Sequence, residues 1–337
     1  MNRVQADIQS VIERKELFEA LSNSKILITG ATGLIGSMLI RTLVAADEKY
    51  GLNIKVIGQI RNPEKARSVL DNVIDKIELT TTDDIVADYI IHTVSPTTSK
   101  FFIEHPVETI KASVESTMSI LEVAKKNKSS GVYLSSMEQY GVPYEPGQRM
   151  TEDKVGVIDH LSIRSSYSES KRLCECLCAS YAAEYDVDVK IVRLAQTVGA
   201  GVPKTDNRMP IQFARAVVDG NDIVLHTEGK SISNFVYLTD AIKGILTILQ
   251  NGEKGQAYNV CNDVETRSVK EIAELISHEV ADDKIKVSIE KKDNMGYAPD
   301  AAMYLDSGKL RNLGWNAEVD MVEAYRRLVR YLGENNG

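Results

Sequence analysis

Tyr167-Ser168-Glu169-Ser170-Lys171 sets a phenol and an ammonium four residues apart, which on a helix puts both on one face. An unperturbed phenol titrates at about 10 and is a poor base at neutral pH. A nearby cation that favours the phenolate changes this, and the spacing assigns that role to Lys171. Upstream, the apolar run GVYLSS ends in Ser135 and Ser136. Ligands of open parallel sheets bind at the carboxyl ends of strands, so a hydroxyl there can hold a substrate oxygen beside the tyrosine. Ser136, Tyr167 and Lys171 together suit proton transfer at an alcohol or carbonyl oxygen.

A second constellation is Thr29-Gly30-Ala31-Thr32-Gly33-Leu34-Ile35-Gly36, which joins the apolar run KILIT to a helical stretch. In this G-x-x-G-x-x-G spacing Gly30 turns the chain off the strand, Gly33 lets the backbone approach a pyrophosphate, and Gly36 lets the helix lie close to the sheet. The amides of Thr32, Leu34 and Ile35 and the helix dipole then face an anion. The pattern predicts a dinucleotide cofactor, NAD(P). An acid closing the second strand would bind a ribose 2′-hydroxyl and a basic group a 2′-phosphate. The residues there are Gln59-Ile60-Arg61-Asn62, so Arg61 leans the reading toward NADP.

The elements that must position these groups alternate. Runs KILIT, IKVIGQI, KIELT, DYIIHTV, GVYLSS, VDVKIVRLA and AYNVC are separated by helical patterns over Leu34 to Ala45, Val107 to Lys126, Tyr167 to Tyr185 and Met209 to Asp219. Strands alternating with helices predict an α/β chain of Rossmann type, a doubly wound parallel sheet buried on both faces, with a smaller C-terminal α/β substrate domain. The expected boundaries are an amphipathic helix in 1–24 on the surface, a dinucleotide domain over 25–196 to which 236–261 returns, and a substrate domain formed by 197–235 and 262–337.

At 337 residues the chain exceeds the about 250 to 300 at which single cores stop growing. Hydrophobic residues make up 43% and charged residues 26%, as in ordinary globular proteins. A net charge of -8 leaves no basic surplus for a phosphate polymer, so nucleic acid is not expected as a partner. Cys174, Cys176 and Cys178 alternate along a helix and cannot share a face, which predicts free thiols and no metal site. The N-terminus has no apolar leader and no run is long enough to span a membrane, so a cytoplasmic location is expected.

With these motifs in place the chain resembles the extended short-chain dehydrogenase/reductases, the NAD-dependent epimerases and dehydratases of nucleotide sugars, from Lys25 to about Leu332. The resemblance makes Tyr167 and Lys171 the catalytic pair, with Lys171 also on the nicotinamide ribose. It makes Ser136, in SSMEQYG, the active-site hydroxyl and Asp84, in TTDDI, an adenine contact. It also implies a homodimer joined by the helices near Val107 to Lys126 and Tyr167 to Tyr185.

Within the family, His92-Thr93-Val94-Ser95-Pro96, Pro106-Val107-Glu108-Thr109 and Glu138 are similar to the UDP-glucuronate decarboxylases. In those enzymes the sugar C4 hydroxyl is oxidised, the β-keto acid loses carbon dioxide, and a tightly held NAD returns its hydride. Met137 stands where a 4,6-dehydratase carries its acid, and it cannot donate a proton. The chain departs from the pattern at Ser233, which replaces an arginine in Gly229 to Phe235, at Gly296-Tyr297-Ala298-Pro299-Asp300, which lacks a second arginine, and at Gln196, which replaces an asparagine. Ser95, Arg208, Gln196, Lys230 and Ser233 are the expected substrate contacts. Three readings stand at this point: a decarboxylase- or epimerase-like enzyme of a nucleotide sugar, an NADPH-dependent reductase of a carbonyl compound, and a non-catalytic dinucleotide-binding subunit.

Overall fold

The computed structural model describes residues 1–96, 98–203, 205–291 and 302–334. In chain order the first elements are α1 (Arg3–Ile12), α2 (Glu16–Glu19), β1 (Lys25–Thr29), α3 (Leu34–Tyr50), β2 (Lys55–Gln59), α4 (Pro63–Val69), β3 (Glu78–Thr80), β4 (Tyr89–His92), α5 (Ser99–Glu104), α6 (Pro106–Asn127) and β5 (Ser130–Ser136). After a 3-10 turn at Met137–Tyr140 come β6 (Arg149–Met150), α7 (Ser165–Tyr185), β7 (Asp188–Leu194), β8 (Gln196–Val198) and α8 (Met209–Asp219). The remainder is β9 (Ile223–Leu225), β10 (Ile232–Ser233), β11 (Phe235–Tyr237), α9 (Leu238–Asn251), β12 (Ala257–Val260), β13 (Arg267–Ser268), α10 (Val269–Glu279), β14 (Val287–Ile289), β15 (Tyr304–Leu305), α11 (Gly308–Arg311) and α12 (Met321–Glu334).

Seven strands form one sheet in the order β12-β7-β5-β4-β1-β2-β3, every pair parallel. The expected doubly wound sheet is therefore present. Strand order reverses between β1 and β4, and the crevice outside the carboxyl ends at such a reversal is where ligands of these sheets bind. Alternation along β1 shows why the sheet is covered twice. Ile26 and Ile28 point into a core with α3 and α9, whereas Leu27 points into one with α6 and α7. A separate core gathers Ile211, Phe213, Ile223, Ile272, Tyr325 and Leu328 from α8, β9, α10 and α12.

The N-terminal segment departs from expectation. Its apolar residues form two helices, and Val11, Ile12, Phe18 and Leu21 are almost fully inaccessible in the core that covers the sheet. Asp7 explains the tight docking. Its buried carboxylate accepts hydrogen bonds from Tyr237 Oη at 2.6 Å and Arg3 Nη2 at 2.7 Å, with Arg327 3.6 Å away, and so ties α1 to β11 and α12. A buried carboxylate needs such partners. Among the described residues no helix is long and apolar enough to cross a membrane.

Candidate active site

The glycine loop forms a cradle in which side chains do not fit. Gly30 has φ +65°, and a Cβ on it would lie 2.6 Å from Thr93 Oγ1; one on Gly36 would lie 2.4 Å from the Gly30 carbonyl oxygen. Gly33 caps α3 without any side-chain hydrogen bond, so the first amides of this 17-residue helix face the crevice. Such a cradle, at the sheet's reversal point and at a helix N-terminus, fits a dinucleotide pyrophosphate. The floor beneath it is fixed by an ordered chain of hydrogen bonds. Thr29 Oγ1 accepts from the Thr93 amide at 3.1 Å and lies 2.7 Å from His92 Nδ1. Thr117 Oγ1 donates to the Ser113 carbonyl at 2.7 Å, so His92 Nε2 carries the proton that reaches Thr117 at 3.2 Å. Burial pushes the His92 pKa down to about 3, so the ring is neutral, and with Nε2 protonated its Nδ1 accepts the Thr29 hydroxyl proton.

β5 and α7 bring four candidate residues to one place. Ser136 closes β5 and accepts a hydrogen bond from the Glu138 amide at 3.2 Å, which begins the 3-10 turn that carries Glu138. Tyr167, 7% exposed, is buried beside them. Burial raises its pKa, the Glu138 carboxylate raises it further, and the Ser136 hydroxyl pulls it down. Burial also raises Glu138, opposed by the guanidinium of Arg164. Lys171 sits one helical turn below the tyrosine, fully enclosed, with Nζ donating to the Leu134 carbonyl at 2.7 Å and 5.7 Å from the Tyr167 ring centroid. Burial brings its pKa down to about 8. The expectation that Lys171 sets the phenol's pKa is therefore amended. Its Nζ gives one of its three protons to a backbone carbonyl, and the influences on the Tyr167 pKa are burial first, then Glu138 and Ser136.

The NAD dependent epimerase/dehydratase family model matches residues 26–261, more than half of the chain. The chain belongs to that family. It is 27% identical over 326 residues to UDP-glucuronic acid decarboxylase 1 of Arabidopsis thaliana, covering 93% of this chain and 72% of that protein. Its fold is similar to UDP-N-acetylglucosamine 4-epimerase from Methanobrevibacter ruminantium M1 in complex with UDP-N-acetylmuramic acid (TM-score 0.78, 18% identity, 92% of this chain and 98% of that one). It is also similar to DesIV, a dTDP-glucose 4,6-dehydratase from Streptomyces venezuelae with NAD and TYD bound (TM-score 0.74, 21% identity, 93% and 98%).

Within this family member the other expected contacts are less uniformly placed. Arg61 is exposed just after β2. Asp84 turns away from that strand end to Lys126, at 3.1 Å. Its neighbour Asp83 receives Gln59 Nε2 at 2.5 Å and also bonds Ser119, about two helical turns nearer than Lys126 to the crevice end of α6. Asp83, not Asp84, therefore stands beside the end of β2. Arg208 makes a two-pronged ion pair with Asp206 and donates to the Thr197 carbonyl at 3.0 Å, so its charge is already balanced. Ser233 faces Met137, its Oγ 3.9 Å from the thioether sulfur; Lys230 is exposed, and Ser95 donates to the Pro96 carbonyl at 3.2 Å. Gln196 is partly buried on β8, with its amide on the Asn234 carbonyl at 3.2 Å. The Gly296 to Asp300 segment lies outside the described residues.

Two side chains at the site were not found from the sequence. Arg164, one turn before Tyr167, is the cation that acts on Glu138. Phe102 of α5 stacks on the Tyr167 ring, centroids 4.3 Å apart and planes 6° from parallel. Arg164 stands three residues before Tyr167, the helical spacing that carried the Tyr167 and Lys171 reading, and so was within reach of the same rule. Phe102 carries no such signal, because its partner is remote in sequence.

Proposed function

We propose that this chain is a nucleotide-sugar-modifying enzyme of the decarboxylase type, working on a UDP-linked uronate with NAD(P). The observation that carries the reading is the buried group of Tyr167, Ser136 and Glu138 with Arg164 beside it. Similarity to the UDP-glucuronic acid decarboxylases over almost the whole chain supports it. The glycine cradle with Gly30, Thr32, Gly33, Leu34, Ile35 and Gly36 would hold the pyrophosphate, with Asp83 and Arg61 at the ribose and adenine end. A nicotinamide held there would supply reversible hydride transfer at the sugar carbinol.

The protein's own groups manage the protons. Ser136 holds the carbinol oxygen, and Tyr167 takes and gives back the proton on it. Burial holds the Glu138 carboxyl above its ordinary range, which suits it to hand a proton to and from the substrate. Arg164 supplies the positive charge that Ser233 lacks and faces the substrate carboxylate, in keeping with the strength of guanidinium-carboxylate pairing. The sugar lies between the sheet's carboxyl edge and the smaller core built from 197–235 and 262–337. Two copies pair through the outer faces of α6 and α7, where Val107, Ile110, Met118 and Leu173 are exposed.

A second reading, an NADPH-dependent reductase, is favoured by exposed Arg61 and by Ser233. Denaturing the purified protein and identifying the released nucleotide divides the two. Stoichiometric NAD supports the decarboxylase; an empty site that prefers NADPH in titration supports the reductase.

A further inference from the structure

β5 alternates across the sheet, so Val132 and Leu134 enter the core with α3 and α9 while Tyr133 enters the one with α6 and α7. Tyr133 is 2% exposed there, and its ring meets Lys171 of α7, whose Nζ lies 4.8 Å from the ring centroid. The same ammonium donates to the carbonyl of Leu134, the next residue of β5. Two successive residues of one strand therefore hold one buried charge, the first by its ring and the second by its backbone.

A buried ammonium needs compensation. The titratable groups that face it bring no anion into contact. Glu175, one helical turn on, favours the charged form from a distance but spends its carboxylate on Ser135 and Arg193. The His92 ring, 5.7 Å from that of Tyr133, is neutral. Burial raises the Cys178 thiol and the Tyr133 and Tyr167 phenols, so all three stay protonated, and Cys174 donates its thiol proton to the Ser113 carbonyl. Beside the Leu134 carbonyl, what remains is the aromatic face. An ammonium out of water and within about 6 Å of a ring centroid is drawn to that face. The Tyr167 ring stands farther off, at 5.7 Å, so the charge rests against Tyr133.

We infer that Tyr133 is a positioning residue of the active site, whose ring face, together with the Leu134 carbonyl, fixes the Lys171 ammonium below Tyr167 and keeps it charged. Tyr133 acts through Lys171 and touches no substrate. Its bearing on turnover rests on the reaction proposed above; its hold on Lys171 does not.

The test alters the electrons of the ring and leaves its shape. The full chain is made with nitrogen-labelled lysine in three forms: the parent, Tyr133→Phe, and a form carrying trifluorophenylalanine in place of Tyr133. The Lys171 ammonium signal, identified by its absence from Lys171→Met, is then titrated by NMR. The parent midpoint is expected at about 8. Phenylalanine keeps the face and should titrate with the parent. Fluorine drains the face, so the midpoint should drop by about one pH unit, a tenfold loss of ammonium, and the alkaline limb of the rate should move down with it. A ring that only fills space would leave both in place. A fluorinated protein that titrates with the parent overturns the inference, as does a phenylalanine variant already shifted as far as the fluorinated one. A lowered midpoint in a protein that decarboxylates nothing supports the inference and contradicts only the proposed reaction.

Discussion

At the scale of single residues the account rests on which group acts on which. Tyr167→Phe keeps the stacked ring and removes only the proton carrier, so turnover should fall by about 10² to 10⁴ while thermal unfolding barely moves. Glu138 titrates above the ordinary carboxylate range because it is buried. Activity that needs its ionised form should be lost as pH falls through that raised value. A rate-pH profile of Glu138→Gln should therefore lack the acid limb of the parent. On the alkaline side Lys171, brought down to about 8 by burial, is the first group of the site to change charge. If its ammonium is required, the rate falls as pH rises through about 8 and the limb survives in Glu138→Gln. Tyr167, Lys171 and Ser136 were legible in the sequence because helical spacing and strand ends are local rules. The identity of the group that tunes the phenol was not. Burial of Tyr167 under Phe102, and the closeness of Glu138, depend on α5 and the 3-10 turn folding back over α7.

At the scale of elements the glycine loop is the sharpest case. Gly36→Ala drives a methyl group against the Gly30 carbonyl, and overpacking of this kind costs about 1 to 3 kcal/mol. The variant should lose dinucleotide affinity, read by titration with NAD(H) and NADP(H). A second element-level device joins α7 to the sheet. Ser135 Oγ donates to Glu175 at 2.5 Å, and Arg193 of β7 holds the same carboxylate while donating to Tyr140 Oη at 2.8 Å. Arg193→Met strands a buried charge and should destabilise the chain by about 3 to 5 kcal/mol in urea unfolding, whereas adding Glu175→Leu should restore most of it. Strand and helix order were readable because periodicity is local. Helix Met209 to Asp219 was placed at its observed ends. The first segment was read as a single surface helix because amphipathic spacing shows that one face is buried and leaves unsaid how much else covers it. Asp7 shows the same limit, since its partners Tyr237 and Arg327 lie far along the chain.

At the scale of the whole molecule two properties remain to be joined, assembly and reaction. The exposed apolar residues on α6 and α7 are proposed to meet those of a second copy. Met118→Glu together with Leu173→Glu should convert a dimer into a monomer in sedimentation; an unchanged mass would place the interface elsewhere. The reaction gives the most direct test of the central claim. Purified protein incubated with UDP-glucuronate, and followed by mass spectrometry of the nucleotide sugar, should release carbon dioxide and yield a UDP-pentose, and Tyr167→Phe should not. UDP-glucuronate recovered intact from a folded, nucleotide-loaded protein would contradict the account.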